Sequence, residues 1–363
     1  MKTIYFAVIS DPLFDQRMQR ICSSLSHSGY NVVLAGTKIK KKIPLKQQAF
    51  KQYRLHCWFT SGKIFYAEFN IRLFFFLLFK KMDAICAIDL DTIVPCYFIS
   101  RLKKVKRIYD AHELFTEMKE IVTRPPIQKF WLGIERKFVP GFPVAYTVSH
   151  TIANEFKKRY GVRFDVIRNM PYLINDVSAT NIPQHKNMLY QGAVNEARGF
   201  ENLIPAMQLI GAELYIYGDG NFMSRLKSLI KEYTVEQKVF LMGMKTPEEL
   251  KEITANAYIG VNLVENIGLN QYYSLANKFF DYIQAGIPQI TMRFPEYENI
   301  NDQYEVAVLI NDLTAKTIAD AYTKLCDNDF YNRLKQNCIE AGKVYNWQNE
   351  EKKLIDIYSK LWK

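Results

Sequence analysis

The sequence predicts an α/β protein with two Rossmann-like, parallel-sheet domains that face each other across a cleft. Short apolar strands alternate with amphipathic helices in both halves of the 363 residues. The alternation is interrupted once, at residues 172–186, which are polar and have no hydrophobic period. Ligands of such sheets bind at the carboxyl ends of the strands, which is where two facing domains form a cleft.

In the first half, a strand at Ile4–Ile9 is followed by a helix at Phe14–Ser28, which Gly29 ends. A later helix starts at the N-cap Ser149 and closes at Gly161. Further strands are predicted at Asn31–Gly36, Ala84–Ile88, Arg107–Tyr109, Val144–Val148 and Asp165–Arg168.

In the second half, helices are predicted at Phe200–Leu209 and Leu275–Gln284, and a final helix at 346–363. The predicted domains are residues 1–171 and 172–345, with the final helix crossing back to the first domain. Strands are predicted at Met188–Gln191, Ala212–Tyr217, Val239–Met242, Tyr258–Leu263, Pro288–Thr291 and Val306–Ile310.

The net charge of +11 is unevenly distributed along the chain. Residues 1–180 hold 29 Lys and Arg against 14 Asp and Glu, whereas residues 181–363 hold 19 against 23. The basic half suits an anionic partner such as a lipid surface, a nucleic acid or an anionic substrate. Nucleic acid is not expected, because no recognition motif or interleaved aromatic platform accompanies the basic residues.

The cysteines and apolar runs indicate a cytoplasmic protein. The six cysteines have neither CxxC spacing nor a histidine cluster, so disulfides and zinc are not expected. The longest apolar run, Leu73–Phe79, is far shorter than the roughly twenty residues of a membrane span. The surrounding segment Ile71–Lys81 could form a membrane-surface helix, but a helix that is apolar all round because it is covered is slightly preferred.

The most informative segment is Tyr272–Pro288. Ser274 is predicted to cap a helix in whose first turn Lys278 would oppose the helix dipole. That placement favours a bound anion, which Lys278 and first-turn N–H groups would share. Asp281 could accept the hydroxyls of a ribose, although an exposed ion pair with Lys278 is the simpler explanation of these two residues alone.

Two other segments end strands with glycine. After Gly192, the pair Arg198-Gly199 enters a helix, where a basic residue could contact a diphosphate. Gly218-Asp219-Gly220 follows the next strand, and glycines there would let a ligand approach the backbone.

Together these segments resemble the C-terminal half of the GT4 family of glycosyltransferases, which have the GT-B fold. The variant motif Asn-Lys-x-Phe-(Glu/Asp)-Tyr matches residues 277–282. The first half resembles the same branch through Phe14-Asp15-Gln16-Arg17, Asp89-Leu90-Asp91-Thr92 and Tyr109-Asp110-Ala111-His112-Glu113. The resemblance covers nearly the whole chain.

The resemblance implies a nucleotide diphosphate sugar as donor, bound without a metal or other cofactor. Arg198 and Lys278 would hold the diphosphate, Asp281 the ribose, and His112 would contact the transferred sugar. His112 could instead be structural, paired with Asp110 or Glu113. The remaining donor-binding residues would be Gly192, Gly218, Asp219, Gly220, Ser274, Leu275, Ala276 and Asn277, with backbone N–H groups of 274–276 also facing the diphosphate.

Two departures from the family pattern stand out. The acid that usually lies eight residues before Asp281 is replaced by Tyr273, and Ser10-Asp11-Pro12 replaces a glycine-rich loop after the first strand. Asp89-Leu90-Asp91 looks like a metal-binding DxD, but that motif belongs to a different glycosyltransferase fold. The basic runs Lys38–Lys42 and Lys103–Arg107 are expected to be solvated loops.

The sequence therefore predicts a retaining glycosyltransferase of surface glycan or polysaccharide biosynthesis, acting on a saccharide or lipid-linked acceptor. Peripheral contact with an anionic membrane is part of this prediction. A non-catalytic nucleotide-sugar-binding scaffold is the alternative that Tyr273 motivates, and an epimerase or hydrolase of the same fold is the other.

Overall fold

The computed structural model describes residues 1–38, 43–174 and 185–363. Over these ranges the chain forms two compact units, Met1–Asn169 with Glu350–Lys363, and Met170–Asn349. The predicted link at 172–186 and the basic run at 38–42 fall largely on residues outside the described ranges.

The first unit is built on a parallel sheet of seven strands. In chain order they are β1 (Thr3–Ala7), β2 (Asn31–Thr37), β3 (Lys51–Leu55), β4 (Ala84–Ile88), β5 (Lys106–Ala111), β6 (Val144–Thr147) and β7 (Asp165–Val166). Their order across the sheet is β3-β2-β1-β4-β5-β6-β7. The direction of winding reverses between β1 and β4, so the carboxyl ends of these two strands flank a crevice where such sheets bind ligands.

The helices of the first unit connect these strands. They are α1 (Gln16–His27), α2 (Gly62–Leu78), α3 (Ile93–Lys103), α4 (Lys119–Val122), α5 (Pro125–Phe138) and α6 (His150–Tyr160), with 3₁₀ turns at Phe115–Glu117 and Val139–Gly141.

The second unit contains a parallel sheet of six strands in the order β10-β9-β8-β11-β12-β13. These are β8 (Met188–Gln191), β9 (Leu214–Tyr217), β10 (Val239–Gly243), β11 (Ile259–Asn262), β12 (Gln289–Met292) and β13 (Ala307–Ile310). Here the winding reverses between β8 and β11. The two parallel sheets confirm the predicted fold class of two Rossmann-like domains.

The helices of the second unit surround its sheet. They are α7 (Phe200–Ala206), α8 (Met223–Glu232), α9 (Pro247–Ala255), α10 (Leu269–Tyr272), α11 (Asn277–Gln284), α12 (Pro295–Tyr304), α13 (Ala315–Leu325) and α14 (Asn328–Val344).

The last helix, α15 (Trp347–Ser359), begins in the second unit and continues into the first, where a 3₁₀ turn at Lys360–Trp362 ends it. Tyr358 of this helix is fully buried. Its hydroxyl lies 3.2 Å from that of Tyr146, and its ring lies 6.0 Å from the ring of Phe6. The helix therefore completes the core of the first unit.

Capping signals predicted several helix ends. Ser149 accepts a hydrogen bond from the N–H of Ile152, and Gly161 ends α6 with φ of +69°. The predicted helix at Phe200–Leu209 is too long, because it ends at Ala206 after Pro205. Strand β3 was not predicted, because Lys51–Leu55 is a polar, partly exposed edge strand.

Helix α2 is not covered all round, and the preferred prediction for this segment is wrong. Only Phe69, Leu73 and Leu77 of the helix are fully buried. Ile71 and Phe75 are more than half exposed. Among the residues that the structure describes, no helix combines the length and apolar character needed to cross a membrane.

Candidate active site

The carboxyl ends of β8 and β9 meet in two glycine turns. Gly192 has φ of +122° and donates its N–H to the carbonyl oxygen of Tyr217 at 2.9 Å. Gly218 has φ of +151°, and a Cβ there would collide with the carbonyl oxygen of Gly192. Both positions therefore require glycine, and this sheet edge offers bare backbone to a ligand.

The Gly218-Asp219-Gly220 segment is tied to the loop after β8. The N–H of Val194 donates to the carbonyl oxygen of Asp219 at 3.0 Å. The N–H of Gly220 donates to the Asp219 carboxylate at 2.8 Å, and a Cβ at Gly220 would collide with the Val194 carbonyl. The Asp219 carboxylate thus stabilises its own turn.

Arg198 lies in a loop whose backbone is fixed on both sides. Ala197 and Gly199 have φ of +61° and +71°, and the Ala197 carbonyl accepts the N–H of Glu265 at 3.1 Å. Gly199 packs so closely on Leu263 that an added Cβ would lie 2.9 Å from the Leu263 Cβ. No hydrogen bond or ion pair of the Arg198 guanidinium is found within the described part of the chain.

Helix α11 starts later than predicted. Its N-cap is Ala276, so the predicted cap at Ser274 is wrong, and Asn277 and Lys278 are its first residues. The reason is a tertiary contact, since the N–H of Ala276 donates to the hydroxyl of Tyr297 at 3.0 Å. The N–H of Ser274 donates to the carbonyl of Gln271.

This local geometry changes the predicted set of donors for the diphosphate. Two of the three expected backbone N–H groups, those of Ser274 and Ala276, have partners within the chain, and the third belongs to Leu275. The Ser274 hydroxyl oxygen is buried, and among the described residues it has no hydrogen-bond partner. An unpaired buried hydroxyl beside a helix start is suited to a polar ligand atom.

Lys278 is held against the glycine turn. Its Nζ lies 3.4 Å from the centroid of the Tyr190 ring, and a Cβ at Gly192 would lie 3.5 Å from its Cε. Burial and then the charge of Arg198 lower the pKa of Lys278 well below its ordinary value, while Asp281 acts in the opposite direction. An anion placed beside both cations would favour the charged lysine.

The Asp281 carboxylate is oriented by a short relay. Gln191, the last residue of β8, donates from Nε2 to Asp281 Oδ2 at 3.1 Å. The side-chain Oε1 of Gln191 in turn accepts a hydrogen bond from the hydroxyl of Thr254 at 2.6 Å. The amide therefore points its donor at Asp281 and fixes the orientation of the carboxylate.

Four residues that shape this site were not predicted from the sequence. Tyr190, Gln191, Thr254 and Tyr297 each contact a predicted residue or its partner. The available signal for the first two was their position, because Tyr190 and Gln191 are the residues with polar groups at the end of β8, just before Gly192. Nothing in the sequence connects Thr254 or Tyr297 to the site.

The first unit holds a separate charged cluster at the carboxyl ends of β4 and β5. His112 Nε2 lies 3.1 Å from Asp110 Oδ2, and the backbone N–H of His112 donates to Asp89 Oδ1 at 2.7 Å. Asp110 is also paired with Arg17 at 2.9 Å, and both side chains are almost fully buried. Arg17 donates further to the carbonyl of Ile167.

The cluster fixes the charge of His112. Burial opposes the imidazolium, but Asp110 and then Asp89 outweigh it and raise the pKa of His112 to about 9. Burial likewise opposes the Asp110 carboxylate, yet Arg17 and His112 lower its pKa. His112 is therefore a cation at neutral pH, and the pairing with Asp110 that the sequence offered as an alternative is present.

The Asp89-Leu90-Asp91 motif is split between two environments. Asp91 is 6% exposed, and its Oδ1 has no hydrogen-bond partner in the described ranges. Burial, and then the charges of Asp89 and Glu113, raise the pKa of Asp91 well above its ordinary value. A search of the described residues for groups of three or more His, Cys, Asp and Glu suited to a metal ion finds none.

Comparison with protein families gives a match that covers the second-unit residues of the site. Residues 175–345 match the family model of the glycosyl transferases group 1. The match lies entirely within the second unit, which is therefore similar to this family. A comparison with curated protein sequences finds no match.

Solved structures with the same fold are numerous. Sucrose-phosphate synthase from Thermosynechococcus elongatus superposes with a TM-score of 0.80 at 16% identity, over 100% of this chain and 99% of its own. HepE from Anabaena, in complex with UDP-glucose, gives 0.77 at 12%, over 99% and 100%. WaaG, a glycosyltransferase involved in lipopolysaccharide biosynthesis, gives 0.73 at 15%, over 98% and 100%. These likenesses show that the chain has the GT-B fold.

Proposed function

We propose that the protein is a retaining glycosyltransferase of the GT4 type that moves a sugar from a nucleotide diphosphate sugar to an acceptor hydroxyl. The observation that carries the proposal is the grouping of Arg198 and Lys278 beside the bare glycine turn at Gly192. Two cations that lie close together are suited to bind a diphosphate, and Arg198 has no carboxylate partner among the described residues. The family match and the neighbour solved with UDP-glucose support this donor class.

The predicted donor-binding residues other than Asp219, whose carboxylate caps its own turn, each have a role in binding the donor. Arg198 and Lys278 bind the diphosphate, and the buried Ser274 hydroxyl donates to a phosphate oxygen. Asp281, aimed by Gln191, accepts from the ribose hydroxyls. Gly192, Gly218 and Gly220 present backbone without side chains at the edge of the sheet, and Leu275, Ala276 and Asn277 form the segment that leads into α11.

The chemistry that we propose is electrostatic and needs no metal. The bond between the anomeric carbon and the diphosphate oxygen breaks, and Arg198 and Lys278 stabilise the charge that develops on that oxygen. The acceptor oxygen bonds to the anomeric carbon on the same face of the sugar. Its proton passes to the departing phosphate.

His112 would contribute as a hydrogen-bond donor to the transferred sugar and not as a base. A pKa of about 9 leaves it protonated at neutral pH. The acid-to-tyrosine change at Tyr273 favours a second candidate, a nucleotide-sugar-binding scaffold without turnover.

The acceptor that we propose is a growing surface glycan or a lipid-linked saccharide, reached from the cytoplasmic side of a membrane. The excess of Lys and Arg in residues 1–180 supports an anionic setting.

The experiment is a calorimetric titration with UDP, GDP, ADP, CDP and dTDP, with and without EDTA. We expect one nucleotide to bind in the micromolar range regardless of EDTA, and to bind Lys278→Ala and Arg198→Ala about a hundredfold more weakly. Lys227→Ala, an exposed lysine on α8, is the matched control and should bind like wild type.

The two candidate functions separate in the next step. The sugar form of the bound nucleotide is incubated with a total lipid extract, and release of nucleoside diphosphate is followed. Release that depends on the extract supports the transferase, whereas tight binding without release supports the scaffold. A folded protein that binds no nucleotide would exclude both.

A further inference from the structure

Helix α2 carries two apolar stripes on opposite sides. Phe69, Leu73 and Leu77 form the buried one, at intervals of four residues. Ile71 and Phe75 are 59% and 55% exposed, and Phe79 just after the helix is 80% exposed. At 100° per residue, Ile71 points about 200° away from Leu73, so the exposed stripe faces away from the sheet.

Helix α3 extends this apolar surface. Helices α2 and α3 connect β3 to β4 and β4 to β5, steps in the same direction across a parallel sheet, so right-handed crossovers place both on one face. They pack against each other. The α2–α3 surface is defined here by the exposed apolar residues of the two helices, Ile64, Ile71, Phe75, Phe79, Phe98 and Leu102.

The exposed charged side chains at the ends of the two helices are positive. The exposed side chains Lys63, Lys81, Arg101 and Lys104 flank the apolar residues at the ends of α2 and α3. The one carboxylate in the sequences of α2 and α3 is Glu68, which is bound by Arg72 at 2.7 Å and by backbone N–H groups. The outward charge of the surface is therefore positive.

Aromatic rings and basic side chains contact each other at the edge of the α2–α3 surface. The Arg72 guanidinium lies 4.5 Å from the centroid of the Trp58 ring, and Trp58 is 78% exposed. Lys80 lies 4.9 Å from the Phe76 ring. Apolar side chains surrounded by Trp, Lys and Arg are the composition of surfaces that sit at the headgroup level of a bilayer.

We propose that the α2–α3 surface binds the headgroup region of an anionic lipid bilayer, with Phe75 and Phe79 inserted and Arg101 and Lys104 on lipid phosphates. Charge complementarity favours this occupant, since a second copy would bring two positive faces together. The proposal does not depend on the donor site, which belongs to the other unit.

The test is co-sedimentation of the full chain with vesicles of phosphatidylcholine alone or with about 30% phosphatidylglycerol, at low and high salt. Wild type should bind the anionic vesicles and release them as salt rises. The double variant Phe75→Ser with Phe79→Ser should lower the partition constant at least about tenfold. Arg101→Glu with Lys104→Glu should abolish the preference for anionic lipid.

Matched controls change equally exposed residues of the second unit. Leu209→Ser with Met244→Ser, and Lys227→Glu with Lys231→Glu, should bind vesicles like wild type. Thermal unfolding and nucleotide titration of every variant report folding and the donor site separately. Wild type that ignores anionic vesicles, or α2–α3 variants that bind like the controls, would overturn the proposal. A dimer in sedimentation velocity that only the α2–α3 variants lose would assign the surface to a second copy.

Discussion

The charged residues of the two units are arranged in opposite ways. In the first unit, the Asp110 carboxylate is paired at contact distance with both Arg17 and His112, and the Arg17 and Asp110 side chains are almost fully buried. In the second unit, Arg198 and Lys278 are close enough for the charge of one to lower the pKa of the other. The first cluster contains its own counter-charge, so the loss of one partner costs stability, whereas two adjacent cations gain from an incoming anion.

The largest expected difference concerns stability. Arg17→Met leaves the buried Asp110 with one partner fewer, and we expect it to lower the free energy of unfolding by about 3 kcal/mol. Arg198→Met removes a cation that has no hydrogen-bond or ion-pair partner among the described residues, and it should change the free energy of unfolding by less than about 0.5 kcal/mol. Urea unfolding measures both. Equal urea midpoints for the two variants would contradict this difference between the two units.

The pH dependence of the free energy of unfolding should come from the first unit. The folded pKa of His112, about 9, lies above the ordinary value of 6.5, so its stabilisation is complete below pH 6.5 and is lost as pH rises through 9. The shift corresponds to roughly 3 kcal/mol. The difference between the unfolding free energies of wild type and His112→Gln should therefore shrink between pH 6.5 and 9.5. A constant difference would show that His112 is not charged in the folded protein.

A comparison of two ligands tests whether Asp281 acts on the ribose or on the phosphates. Asp281→Asn keeps the size of the side chain but removes the charge that would accept ribose hydroxyls. We expect about tenfold weaker binding of the nucleoside diphosphate and unchanged binding of inorganic pyrophosphate, because pyrophosphate has no ribose. Calorimetry with both ligands is the measurement. Equal losses would mean that Asp281 acts on the phosphates through Lys278.

The smallest expected effect is that of the Tyr190 ring. Tyr190→Leu removes the ring under Lys278 and should weaken nucleotide binding about three- to fivefold. Tyr190→Phe keeps the ring but loses the hydroxyl bond to the Ala193 carbonyl at 2.7 Å. It should therefore bind normally and lose about 1 kcal/mol of stability. Weaker binding in the phenylalanine variant would assign the effect to the loop.

The sequence predicted the strands because parallel strands are covered on both faces. Ala84–Ile88 is apolar at each position and buried throughout, so the pattern leaves little choice. Edge strand β3 lacks that coverage and was not predicted. The apolar content of α2 was misleading, because a composition does not tell which side of a helix a neighbour covers.

Site residues were predictable where the backbone imposes the residue type. Gly192 and Gly218 are required by their φ angles and by their mutual approach. The start of α11 was not predictable, because it depends on a bond to Tyr297 from a helix later in the chain. The contact of Lys278 with Tyr190 depends on how α11 sits over β8, which no local signal encodes.

The path of α15 also has a consequence for biosynthesis. Leu354 and Tyr358 belong to the core of the first unit, yet the ribosome makes them after every residue of the second. During translation the sheet β1–β7 must wait with its Phe6 and Tyr146 side uncovered, while Met170–Asn349 can fold as soon as it emerges. The unit that starts first thus finishes last, and a released chain truncated after residue 349 should be open to protease in its N-terminal half only.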